Sequence, residues 1–179
     1  MAEEKKETWY TYMAITTVLI AVAATLSTFK GGGYSTRSLL NQTLASDQWA
    51  FFQSKSIKSY IYDMRAENLE IRVESLEKEK GNEQLINKYK EKIGEYKQNV
   101  KKYEEEKAVI SKTAIDFQNE RDECKKHSGK FGIGVIFLQI SILLSSIATL
   151  SKKKFVWICG LVLGVIGIFY FIDGFFMFL

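Results

Sequence analysis

Three stretches without a single charged side chain constrain this chain more than anything else in it. Thr11 to Phe29 runs nineteen residues without charge, Phe131 to Leu150 twenty, and Phe155 to Ile172 eighteen before Asp173. A bilayer core about 30 Å thick needs roughly 20 apolar residues in helical form, so each window is long enough to cross. Around the first window, Trp9, Tyr10 and Tyr12 form an aromatic cluster at one end and Lys30 stands at the other. Those flanks fit an anchored span better than a buried core helix. Ala21-Val22-Ala23 loosely resembles a signal cleavage site, but the window reads as a retained span.

Proline is absent from the whole chain, which removes the strongest helix breaker and leaves glycine as the main punctuation. The expectation is therefore an all-α membrane protein, with three transmembrane helices and a long antiparallel coiled-coil helical hairpin between the first and second. Its parts are a short tail over 1–10, a span over 11–29, a glycine hinge over 30–34 and a hairpin over 35–128. A second span over 131–150, a basic loop over 151–154 and a third span over 155–179 complete it.

From Lys30 to Lys130 the chain carries 20 Lys or Arg against 17 Asp or Glu. That near-balance suits solvated helices and argues against a nucleic-acid arm, which would show blocks of one sign. Gly81-Asn82 divides this segment into arms 35–80 and 82–127, with Ser35 and Asn82 as expected capping residues. At 1.5 Å per residue each arm is roughly 68 Å long, so the arms match and would fold back along each other.

The second arm carries a seam. Ile86, Ile93, Val100, Lys107, Ala114 and Arg121 recur every seven residues, and Tyr89, Tyr96, Tyr103, Ile110, Phe117 and Cys124 follow them by three. Six heptads in phase predict a coiled coil, widened by its tyrosines. The first arm does not resolve into one seam. Ile57, Ile61, Met64 and Ile71 form one stripe around polar Asn68, while Tyr62, Ala66, Leu69, Val73 and Leu76 form another. Two apolar stripes imply two neighbours: the chain's own second arm and a second protomer, hence a homo-oligomer. A self-contained three- or four-helix packing is the alternative.

Between the glycine triplet and these stripes lies ASDQWAFFQSKSIK, Ala45 to Lys58. Trp49, Phe52 and Lys55 share one helical face, and Phe51 and Lys58 another. With Asp47 they form either a packing knot at the hairpin base or a recognition patch, and packing is the expectation. In the third span, Gly160-x-x-x-Gly164 with Gly167, and Ser141-x-x-x-Ser145 in the second, are small-residue pairs that let helices approach. They would join span two to span three, or span three to a copy of itself. Asp173, about 27 Å along the third helix from Phe155, is expected to reach headgroup water.

Catalytic signatures are missing. His127 has no metal partner or acid in its local sequence, and Cys124 and Cys159 supply neither a disulfide framework nor a zinc site. There is no phosphate-cradling loop and no nucleophile elbow. The chain reads as non-enzymatic, with no cofactor and no metal. Ser151-Lys152-Lys153-Lys154 is the shortest loop and carries three positive charges, so the positive-inside rule places it in the cytoplasm and the hairpin outside.

KGGGYSTRSLLNQTLASDQWAFFQSKSIK, followed by the charged heptads, FGIGVIFLQISILLSSIA, KKK and IDGFF, closely resembles the domain-of-unknown-function 4337 family of bacterial three-pass membrane proteins. The resemblance covers the whole chain and implies a bacterial inner-membrane protein, with no activity and no catalytic residues to carry over. From the residues themselves, the partners expected for this chain are the lipid bilayer, other copies of itself and an envelope protein, with no nucleic acid. The function expected is an oligomeric envelope scaffold or interaction protein; the alternative is an oligomeric channel or transporter-like assembly.

Overall fold

The computed structural model describes residues 2–78 and 82–178. Three helices account for nearly all of them: α1, Ala2–Glu77; α2, Glu83–Ser151; and α3, Lys154–Phe176. No strand occurs among the described residues. Each helix contains a window long and apolar enough to cross a membrane. Lys80 and Gly81, where the first arm was expected to end and turn, lie outside the described residues.

Several expected boundaries dissolve. The hinge at 30–34 is not there, because α1 runs through Gly31, Gly32 and Gly33 without interruption. Ser35 is accordingly a mid-helix residue and not a cap, and the 1–10 tail is helical from Ala2. The second arm and second span are likewise one helix, α2. Glycine costs a helix roughly 1 kcal/mol relative to alanine, which lowers helix stability without forcing a break; proline would have forced one. Between α2 and α3 only Lys152 and Lys153 intervene, with Lys152 in a left-handed conformation (φ 52°).

Contacts divide the chain into two compact units, 1–40 with 120–179, and 41–119. In the first unit α1 runs antiparallel to α2. Ser27 Oγ donates to the Phe131 carbonyl at 3.0 Å, Ser128 Oγ to the Gly31 carbonyl at 3.0 Å, and Ser38 Oγ to the Arg121 carbonyl at 3.1 Å. Helix α3 packs back along α2, with Ser141 Oγ donating to the Gly160 carbonyl at 2.6 Å. At the end of this unit near the α2–α3 loop, Trp157 Nε1 donates to Thr16 Oγ1 at 3.4 Å and the Trp157 ring lies 6.2 Å from that of Trp9. A small core of Ile20, Ala24 and Leu138 fills the middle.

Glycines set the spacing of these helices. A Cβ on Gly167 would stand 2.7 Å from Leu138 Cγ and 3.0 Å from its backbone nitrogen, and one on Gly134 would meet the Gly167 carbonyl oxygen at 3.2 Å. Gly160 and Gly164 face Ser141 in the same way. Of the two contacts expected for these small residues, the structure shows the one within the chain, α2 against α3.

In the second unit the arms of α1 and α2 also run antiparallel. Lys55 pairs with Glu106 at 2.6 Å, Lys97 with Glu70 at 2.6 Å and Lys90 with Glu77 at 2.8 Å. Of the twelve seam positions expected on the second arm, Ile110, Ala114 and Cys124 are buried and the rest half-buried. Tyr62 stacks near Tyr103 and tilts against Tyr96, ring centroids 5.8 and 5.7 Å apart.

The first arm corrects the expectation that it has no single seam. Among its buried or half-buried positions, Asn41, Ala45, Gln48, Phe52, Lys55, Ser59, Tyr62, Ala66, Leu69, Val73 and Leu76 are spaced alternately by four and three, with half-buried Leu44, Trp49 and Ser56 beside them. That is one continuous heptad row; from Tyr62 to Leu76 it is the second stripe read from the sequence, and from Asn41 to Ser59 it is hidden because polar Asn41, Gln48, Lys55 and Ser59 occupy it. The other stripe points away: Ile57 is 61% exposed, Ile61 42%, Met64 45% and Ile71 60%.

Candidate functional site

The one acidic residue of α3 is fully enclosed. Asp173 is 0% exposed, and Lys130 Nζ lies 3.0 Å from its Oδ2. Its Oδ1 accepts the Phe178 backbone N–H at 2.6 Å, and its carbonyl accepts the Met177 N–H at 2.8 Å. This corrects the expectation that Asp173 reaches headgroup water. Distance along α3 placed it near the end of the span, but the face it occupies turns toward α2. Lone carboxylates in such surroundings cost several kcal/mol; pairing with Lys130 leaves the site close to neutral.

His127 is not isolated either. Its Nδ1 lies 2.7 Å from the Gly174 carbonyl oxygen, and since a carbonyl only accepts, Nδ1 carries the proton. Its ring stacks on Tyr34, with centroids 4.6 Å apart and planes 13° apart. Beneath them Phe131 is fully buried between Gly31 and Gly174, edge-on to Phe171 and Phe175. Lys30 sits 5.9 Å from the Phe175 ring and Lys130 6.0 Å from the Tyr170 ring, both in cation–π range. All three helices thus meet in a polar and aromatic lock built from Tyr34, His127, Lys130, Phe131, Asp173 and Gly174.

The sequence missed this lock. His127 and Asp173 were each weighed by their neighbours in the chain, where neither has a partner. The available signal was one acid at one end of α3 and one lysine, Lys130, bordering the window of α2, which an antiparallel α2–α3 pair places at the same level. As chemistry the lock is an ion pair and a hydrogen-bonded imidazole. No group of three or more metal-ligating side chains lies together among the described residues.

The residues of the Ala45–Lys58 stretch divide. Trp49 and Phe52 pack edge to face at 5.5 Å. Lys55 pairs with Glu106 and lies 5.1 Å from the Phe51 ring and 5.4 Å from Tyr103, while Lys107 lies 5.4 Å from the Phe52 ring. The Lys55 ammonium holds the Glu106 carboxyl below its usual range by hydrogen bonding, opposed by desolvation. Lys107, and then Ser59, do the same for Glu104. Asp47 and Lys58 are exposed. Trp49, Phe52 and Lys55 are therefore brought to the half-buried side of α1, and Asp47 and Lys58 stay outside.

The family described as domain of unknown function (DUF4337) matches residues 9–177, nearly the whole chain. The chain belongs to this family. No curated protein and no solved structure matches it. Both the lock and the Trp49–Phe52–Lys55 cluster fall inside the DUF4337 match, as do all three apolar windows.

Proposed function

We propose that this DUF4337 protein is a non-enzymatic integral membrane protein of the bacterial inner membrane, crossing three times, whose helical hairpin joins copies of the chain and serves as an envelope scaffold or interaction element. The observation that carries the reading is the outward apolar stripe of Ile57, Ile61, Met64 and Ile71, left open on a charged arm whose other side is already occupied. Solvated helices seldom keep such a stripe without a partner. Membrane residence is supported by the windows themselves, of which only 22%, 28% and 17% is buried within the chain. Their outward faces, including Leu19, Leu26, Phe29, Leu143, Val162 and Val165, need an apolar solvent.

In this reading the arms form an antiparallel coiled coil on the extracytoplasmic side, opposite the Lys152-Lys153-Lys154 loop. Packing between α2 and α3 is too close for a conducting path between those two helices, so the channel alternative would need a path between copies.

Two measurements test the proposal. The mass of the detergent-solubilised protein should be a multiple of 20.5 kDa; a monomer at every concentration removes the scaffold reading. Sidedness is read with a cysteine introduced at exposed Gln98, in a chain with Cys124→Ser and Cys159→Ser, because native Cys124 is buried and its protection would report packing. A membrane-impermeant thiol reagent should label Gln98→Cys in intact cells and label Lys153→Cys only after lysis; the reverse pattern inverts the topology.

A further inference from the structure

Resting on the homo-oligomeric reading, we infer that the outward stripe of α1 is a parallel two-stranded interface with a second copy of this chain, set in register by Asn68. The stripe lies two residues, about 200°, around the helix from the inward row, so a partner on it leaves the chain's own second arm in place. Ala50, Ile57, Met64 and Ile71 form one row, and Ser54, Ile61, Asn68 and Ser75 the other. Each position is exposed. The spacing alternates four and three, which is the heptad period of a helix pair, here with Ile57, Met64 and Ile71 at d and Ile61 and Asn68 at a.

Charge decides the direction. Beside the d row, at e, stand Lys58, Arg65 and Arg72, all basic; beside the a row, at g, stand Tyr60, Glu67 and Glu74. In a parallel pair g faces e of the partner, which sets Glu67 against Arg72 of the second copy. An antiparallel pair would set e against e and g against g, placing base on base and acid on acid. Copies inserted in one membrane share the direction of α1, so the orientation favoured by charge is the one the membrane allows. Arg65, Glu67 and Arg72 form no ion pair among the described residues, and are free to serve this contact.

Asn68 supplies the register. A single polar asparagine at an a position costs stability but selects two strands and one alignment. Its Nδ2 donates to the Met64 carbonyl at 2.7 Å, which leaves Oδ1 and the second N–H to pair with Asn68 of the other copy.

The test uses the full-length chain in native membranes with Cys124→Ser and Cys159→Ser. Single cysteines at Ile57, Ile61 and Met64 should each oxidise to a covalent dimer, since equal positions meet across a parallel two-fold axis, and Gln98→Cys should not. Glu67→Arg should weaken dimerisation about tenfold, and adding Arg72→Glu to the same chain should restore it. Cross-linking only to another protein, or no cross-link at the three stripe positions while the oligomer mass persists, overturns this interface but leaves the homo-oligomer standing. A monomeric mass without cross-links overturns both. Charge reversal without rescue overturns the parallel register.

Discussion

Gly31 of α1 and Phe131 of α2 touch so closely that a methyl group on Gly31 would stand 2.9 Å from the Phe131 Cβ. Gly32 and Gly33, the next two residues, have nothing within 4 Å of that position. Gly31 therefore serves helix contact, while its neighbours only lower helix propensity. Gly31→Ala should destabilise the protein in detergent by about 1–3 kcal/mol through overpacking. Gly32→Ala should stabilise it by roughly 0.5–1 kcal/mol. Thermal melting of both variants reads the contrast; two equal losses would mean that the triplet acts as a hinge.

Breaking the Lys130–Asp173 pair should cost more than any exposed ion pair. Asp173→Ala strands Lys130, which is itself only 21% exposed in its side chain, and removes the acceptor for the Phe178 N–H. A loss of about 3 kcal/mol is expected, against 0–1 kcal/mol for Lys126→Ala, whose partner Glu123 is solvated. Asp173→Asn keeps an acceptor for Phe178 and should fall between them. A melting temperature for Asp173→Ala equal to that of Lys126→Ala would show the pair to be dispensable.

The glycines of α3 should not be equivalent. At Gly167 an added Cβ meets the Leu138 side chain at 2.7 Å and its backbone nitrogen at 3.0 Å, but at Gly164 it meets only the Ile20 side-chain tip and the Ser141 hydroxyl, both at 2.9 Å. Side-chain ends yield and backbone does not, so Gly167→Ala should lower the melting temperature more than Gly164→Ala. The reverse order would contradict the α2–α3 packing.

Acid should loosen the hairpin. Glu104 and Glu106 are held below their usual value of 4.5 by Lys107 and Lys55. A carboxylate lowered in the folded state contributes stability that is complete above its unfolded value and is lost as pH falls through the folded one. Melting temperature should therefore be flat from pH 7 to about 5 and decline below 4.5. In Glu106→Gln the decline should be shallower; an unchanged profile would mean that the Lys55 pair does not contribute.

The sequence alone determined that this chain is helical, that it holds three windows suited to lipid, and that the second arm has an inward seam. Those properties follow from local rules: absence of charge over the thickness of a bilayer, absence of proline, and a seven-residue period from Ile86 to Cys124. Tertiary structure decided what the isolated signals mean. Gly31 reads as a hinge until Phe131 is seen against it, and Lys55 stands between packing and recognition until Glu106 is seen 2.6 Å away. Asp173 and Lys130 lie 43 residues apart in the chain. Whether a carboxylate at the end of a span meets water or a lysine depends on which way its helix face turns, and that angle is fixed by the glycine contacts between α2 and α3.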